Sequence, residues 1–307
     1  MNGLKRNATP ESGCPKEIVL RDINAMIEKA TGYIPGSQRF PTSIICQASL
    51  KHLRAGGGRT RSLLCFQVGE ALGLDYLPSI ALGATAELLH NASLVHDDIH
   101  DKSLTRRGKP NVRAVYGDDI AILTGDLMIS GAYGLLAEHA RPDTLAPVIA
   151  HVHRIVREVI DGQGSDLESH KRFHSVDDYL AIASAKSGGL IRLAMQLPFI
   201  ATQHDSTVID TAGHAADSYA LSYQIFDDLL DIAEDSGHAG KIQSLNIYHL
   251  LTARMSSAEA MCEARQTALR LLGQVNTACD LMPQGAGQPL ILLAQQLETL
   301  IIREFPQ

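Results

Sequence analysis

The chain has 307 residues, 45% of them hydrophobic and 20% charged, an ordinary globular composition that can bury a sizeable core. Its formal net charge of −7 gives no global basic field for nucleic acid. The five cysteines, Cys14, Cys46, Cys65, Cys262 and Cys279, form no C-x-x-C pair and read as reduced thiols rather than a zinc site.

No apolar run approaches the roughly 18 residues that span a bilayer. The N-terminal MNGLKRNATPESGCPKE lacks the apolar centre of a signal peptide. Residues 1–18 therefore read as a flexible leader, residues 19–307 as one domain, and the expected location is cytoplasmic. Alternating strand patterns are scarce, and helical periodicity is almost continuous. Helices are expected over Leu20–Ala30, Ile44–Leu53 and Arg59–Leu72, then over a long segment entered through Pro78. Ser103–Pro110 reads as a loop. Further helices are expected over Asp119–Glu138, Thr144–Ile160, Val176–Ala185, Lys186–Ala201, Ser206–Ile232, Ser257–Leu272 and Gln288–Arg303, with a Gly-containing loop over Asp235–Ser244. No low-complexity linker divides them, so the expectation is a single all-α domain of ten or more helices.

Two of these helices share an unusual ending. LLHNASLVHDDIHD closes on Asp97, Asp98 and Asp101, and SYALSYQIFDDLLDIAED closes on Asp227, Asp228 and Asp231. At about 3.6 residues per turn, Asp97 and Asp101 stack on one face. Acid at the end of an apolar helix opposes the helix dipole, and such crowding costs folding energy unless a cation neutralises it. One cluster alone would be evenly balanced between a solvated face and a metal site. Two on matching helices point to hard divalent ions, with magnesium combining one or two carboxylates and substrate phosphate oxygens. Basic residues stand nearby in sequence: Arg106, Arg107 and Lys109 after the first cluster, Arg59 and Arg61 after three glycines, and the lone lysines Lys186 and Lys241. A glycine turn leading into a helix can cradle phosphate. Beside two acid clusters, these residues suggest diphosphate chemistry.

From about Arg54 to Lys241 the chain resembles the trans-type isoprenyl diphosphate synthases (polyprenyl synthetases). HNASLVHDDIHDKSLTRRGKP, YGDDIAILTGDLM, AKSGGL and YQIFDDLLD carry the resemblance, in the family's order. It implies an all-α bundle around a central cavity, the type I isoprenoid synthase fold. It also implies condensation of isopentenyl diphosphate with an allylic diphosphate, three magnesium ions and a homodimer without stable membrane insertion. By position, Asp97, Asp101 and Asp227 are implied as principal metal ligands, and Asp98, Asp228 and Asp231 as ligands or support. Arg106, Lys186 and Lys241 would grip the allylic diphosphate, and Ser187 and Gln224 would line the reaction centre. Arg61, His90 and Arg107 would receive isopentenyl diphosphate; on the residues alone, His90 reads as a core histidine.

The chain departs from the family where a lysine that contacts isopentenyl diphosphate is replaced by Gly58, and where SLNIYHLLTAR replaces a lysine-bearing lid segment. Small residues above the first cluster, Ala92 and Ser93, with Leu89 a further turn away, imply an open tunnel. Its floor would fall to residues such as Met128 or Tyr133, and the product would have twenty carbons or more, geranylgeranyl diphosphate or longer. Two alternatives stand beside this reading. One is a class I terpene cyclase, which needs no isopentenyl diphosphate pocket. The other is a non-catalytic partner subunit, in which the aspartates are usually lost.

Overall fold

The computed structural model describes residues 15–32, 43–169, 175–234 and 245–306. Helix α1 (Lys16–Ala30) buries Val19, Ile23 and Ile27 at four-residue spacing, so the apolar stripe dictates its inner face. It starts inside the expected leader, of which residues 1–14 lie outside the described residues. Helix α2 (Ile44–Arg54) starts where the Ser43 hydroxyl accepts from the Cys46 N–H at 3.2 Å, a side-chain cap on an otherwise orphaned donor. Helix α3 (Thr60–Ala71) follows the glycine turn, and α4 (Tyr76–His100) is the hub. Buried side chains lie all round α4, the pattern of a helix enclosed by others. Helices α1, α3, α6 and α9 pack against it.

The expected loop after α4 contains a small antiparallel ribbon, β1 (Thr105–Arg106) with β2 (Lys109–Pro110). Its turn residues Arg107 and Gly108 both have positive φ, 53° and 70°, as a tight primed hairpin requires. Next come α5 (Val112–Tyr116), α6 (Asp118–His139), α7 (Leu145–Ser169) and α8 (Val176–Ala183). A π-helical turn, Ser184–Gly188, leads into α9 (Gly189–Ala201). Lys186 therefore sits inside a π turn rather than at a helix start. Helix α10 (Ser206–Glu234) carries the second acid cluster, and α11 (Ile247–Thr252), α12 (Ser257–Cys279) and α13 (Gln288–Glu304) complete the bundle. Helix α10 packs on α9, α12 and α13. One apolar core runs through the described residues from Val19 to Phe305, as expected for a single all-α domain.

Three differences from the sequence reading have physical causes. Helices α5 and α11 are too short for a periodic pattern to register. Helix α7 continues past Ile160 through a polar, glycine-containing stretch because that stretch packs against the π turn. Helix α6, with 22 residues, is long and apolar enough to cross a membrane by length and composition, contrary to the expectation that no run approaches that length. Less than half of its most apolar stretch, 44%, is buried inside the fold, and Ile122 and Leu123 remain exposed.

The α3–α4 crossing depends on the missing side chain of Gly83, where a Cβ would lie 2.7 Å from the Ser62 carbonyl oxygen. Gly83→Ala is expected to lower the melting temperature through an overpacking cost of about 1–3 kcal/mol. An unchanged thermal transition would show that the crossing relaxes freely.

Candidate active site

The last turn of α4 divides the first three aspartates between two tasks. Asp98 points inward and is buried, and its Oδ1 accepts from Arg106 Nε at 3.0 Å and Nη2 at 2.9 Å. The Asp98 carbonyl also accepts from the Ser103 N–H at 3.0 Å, so one residue ties the hairpin to the helix. Burial raises the pKa of Asp97, and the charge of Asp101 adds to it, while Lys186 and Arg106 act in the opposite direction. Asp97 thus faces Asp101 one turn away and two cations from other elements.

One of those cations is presented by the π turn. Lys186 donates to Asp166 Oδ2 of α7 at 2.6 Å. Burial acts to lower the Lys186 pKa, but Asp166, Asp97 and Asp101 together outweigh it and leave it raised. Helix α7 approaches closely because residue 162 is glycine. A Cβ there would meet the Lys186 backbone nitrogen at 2.8 Å. Sequence reasoning missed Asp166. The signal was available: α7 also runs from apolar residues into an acid-containing end, Asp161-Gly-Gln-Gly-Ser-Asp166.

On α10 the second cluster divides in the same way. Asp228 is buried; it accepts from Gln224 Nε2 at 2.9 Å and from the Ile247 N–H at 3.0 Å. Its carbonyl accepts from Asn246 Nδ2 at 3.0 Å, so Asp228 anchors α11, and Gln224 orients Asp228. Burial, with Asp231 and then Asp228 adding, lifts Asp227 to about 7. One and two turns before it on α10 stand Tyr223 and Tyr219, whose ring centroids are 6.4 Å apart. The charges of both Asp227 and Arg61 act on each phenol, so this pair lies within electrostatic reach of both the acid cluster and Arg61.

Arg61, His90 and Arg107 form a cationic group of their own. Burial lowers the pKa of the Arg61 guanidinium against the opposing charge of Glu87, and its Nε is buried without a partner. His90 is held well below its usual pKa by burial, and then by Arg61 and Arg107, so its ring is neutral at pH 7. Arg107 donates to the Gly56 carbonyl, where Gly56 and Gly57 take φ of 111° and 130°. Arg59 is structural instead: it pairs with Glu87 at 3.1 Å and donates to the Leu53 carbonyl at 2.7 Å. Leu89, Ala92 and Met128 are buried in the core, Ser93 and Tyr133 are half-buried, and the Ser93 hydroxyl donates to the His90 carbonyl at 2.9 Å. The Ser187 side chain, Lys241 and the expected lid over Asp235–Ser244 lie outside the described residues.

The donors fit magnesium in a particular way. Among the described residues, no three carboxylate, thiol or imidazole groups are gathered tightly enough to hold an ion by themselves. The site instead offers carboxylates in small sets: Asp97 with Asp101, and Asp227 with Asp231. That is the protein share of a magnesium site completed by phosphate oxygens and water, and the raised Asp227 carboxyl marks a charge short of cations.

A carboxyl whose pKa is about 7 in the fold, against an ordinary 3.8, binds its proton more tightly when folded. Its contribution is fully favourable below the lower value and is lost as pH rises towards the upper one. In magnesium-free buffer, Asp227→Asn is therefore expected to raise the melting temperature at pH 8, with the gain shrinking as pH falls to about 4. A pH-independent gain, or none, would count against a strained Asp227.

The model of the Polyprenyl synthetase family matches residues 43–273. The chain is 33% identical over 198 residues to a geranylgeranyl pyrophosphate synthase of Geoglobus acetivorans, covering 64% of this chain and 61% of that protein. It is 32% identical over 201 residues to a geranylfarnesyl diphosphate synthase of Aeropyrum pernix, covering 63% of each. The chain thus matches about three-fifths of the length of these curated relatives. Among solved structures, the geranylgeranyl pyrophosphate synthetase of Geoglobus acetivorans superposes with a TM-score of 0.78 at 25% identity, covering 92% of this chain and 98% of that one. The heptaprenyl diphosphate synthase of Staphylococcus aureus shares the fold, with a TM-score of 0.78 at 20% identity over 94% and 99% of the two chains. The matched segment takes in both acid clusters, the arginine pair and the π turn, and the chain belongs to the polyprenyl synthetase family.

Proposed function

We propose that the protein is a magnesium-dependent prenyltransferase that joins isopentenyl diphosphate to an allylic diphosphate to make a trans-prenyl diphosphate. One observation carries the reading: two seats for anions adjoin each other. The acid clusters with Lys186 and Arg106 suit a metal-bridged diphosphate. The Arg61–His90–Arg107 pocket suits a diphosphate held without metal. Adjacent residues Arg106 and Arg107 serve one seat each, and Tyr223 feels the charges of both Arg61 and Asp227. A terpene cyclase has no use for the second seat, and a non-catalytic subunit has no need of two intact acid clusters.

When bound, magnesium supplies Lewis-acid stabilisation of the departing diphosphate. Asp97, Asp101, Asp227 and Asp231 would hold it; Asp98 and Asp228 fix the flanking chain. Lys186 and Arg106 place fixed positive charge where the leaving oxygens gain negative charge, with little reorganisation needed. Neutral His90 can donate one hydrogen bond to the second diphosphate without taking up a proton. The apolar faces of α4 and α10 exclude water, which would otherwise capture an allylic cation. The Tyr219 and Tyr223 rings can face that cation.

Purified protein supplied with magnesium, labelled isopentenyl diphosphate and allylic diphosphates of five, ten or fifteen carbons is expected to release elongated prenyl diphosphates of twenty carbons or more. Cyclised hydrocarbon, or no turnover, would overturn the reading. In the same assay Ala92→Tyr is expected to shorten the product. An unchanged product distribution would remove Ala92 from the tunnel.

The incompletely buried apolar face of α6, with Ile122 and Leu123 exposed, supports a homodimer seated on that helix. Sedimentation at micromolar concentration should give twice the chain mass, and Leu123→Glu should return it to one.

A further inference from the structure

The second anion seat lacks a lysine at position 58, and the structure offers a cation from another element. Lys51, on the last turn of α2, lines a narrow cleft with His52, Arg106, Arg107 and Asn111. None of the described residues lining that cleft is a carboxylate. The cations around it divide sharply by partner. Arg54 is paired with Glu28 at 2.8 Å, Arg59 with Glu87 at 3.1 Å and Arg106 with Asp98 at 2.9 Å. Among the described residues, Lys51 and Arg107 have no carboxylate partner. His52 cannot offset them, since burial, then Arg107 and Arg106, press its pKa down to about 4, and its Nε2 is occupied by Asn91 Oδ1 at 3.1 Å.

Two unmatched cations on one cleft make a focused positive potential that a multiply charged anion relieves. The position also suits the substrate. Arg107 reaches across to the Gly56 carbonyl and lies against Gly57, so the glycine turn, the hairpin and the end of α2 converge there. A lysine at 58 would enter from the turn, whereas Lys51 enters from the helix one turn before Ala55, which lines the same cleft.

We propose that Lys51, together with Arg107, binds the diphosphate of the isopentenyl substrate, supplying from α2 the charge that position 58 does not. The inference rests on the prenyltransferase reading given above. It makes Lys51 a binding residue of the second seat, on the cleft it shares with Arg107.

The test is steady-state kinetics with each substrate varied in turn. Lys51→Ala is expected to raise KM for isopentenyl diphosphate about tenfold, the loss of one charge-assisted contact, and to leave KM for the allylic diphosphate within about twofold. Lys51→Arg should keep most of the affinity. Adding Gly58→Lys to the alanine variant should restore it. Residue 58 is not at positive φ, and a Cβ there meets only the Thr60 hydroxyl at 3.2 Å, so the backbone accepts a lysine. An unchanged KM for isopentenyl diphosphate, or an equal rise for both substrates, overturns the proposal. Calorimetric titration with inorganic diphosphate in chelator, where the metal-held seat is disabled, separates this outcome from failure of the functional reading. If the native chain elongates nothing, the prenyltransferase reading falls; about tenfold weaker diphosphate binding by Lys51→Ala then still supports the seat, and equal binding overturns it.

Discussion

Negative charge gathered at the ends of two apolar helices is the constraint on which the rest of the structure depends. Burial lifts Asp97 and Asp227 above the usual carboxylate range, so the fold holds these groups where their charged forms are disfavoured. Each cluster commits one aspartate to the protein: Asp98 to Arg106 and Asp228 to the start of α11. Asp97 and Asp227 are not committed in this way and carry the raised pKa values instead. The elements around them, the hairpin, the π turn and the polar end of α7, bring charges or backbone bonds to them. The unfavourable charge is thereby concentrated at one place, where on the proposed reading a cation and an anionic substrate would relieve it.

Much of this was legible in the sequence, because the helices are long and amphipathic or wholly apolar, and because paired acid clusters on apolar helices are costly to keep without a cation between them. The structure sets Asp97 beside Lys186 and Arg106, and Arg61 within the electrostatic reach of His90 and Arg107. What was not legible is the division of labour inside each cluster. The spacing of Asp97 and Asp98 says they face different ways, but not that Asp98 is taken by Arg106. Asp166 was missed because its helix was expected to end at Ile160, whereas Gly162 lets α7 lie against the π turn. Arg59 sits in the glycine-arginine stretch as though poised for phosphate, yet the structure spends it on Glu87 and the Leu53 carbonyl. Its left-handed backbone, φ 51°, turns the chain into α3. Sequence spacing carries no information on which of two neighbouring arginines a buried glutamate will take.

The π turn shows how a local irregularity serves a global arrangement. An α-helix continuing directly from Ala183 into α9 would keep the i to i+4 bonding of its neighbours. The wider turn over Ser184–Gly188 interrupts it, and there Lys186 meets Asp166 and faces the α4 cluster. Such wide turns are rare and concentrate at functional sites. Here the cost is supported by α7, whose glycine at 162 removes the one side chain that would hold the two elements apart.

The two-residue ribbon after α4 has a consequence for spacing. Arg106 belongs to its first strand and is fastened to Asp98, while Arg107 occupies the turn in a left-handed conformation and reaches back to Gly56. Arg106 and Arg107, anchored to different elements, are therefore joined by a single peptide unit. The backbone pairing of the ribbon fixes where Arg106 and Arg107 stand relative to each other. On the proposed prenyltransferase reading, a ribbon this short places the two seats at a fixed spacing, so the distance between the two diphosphates is set by one peptide unit of the chain.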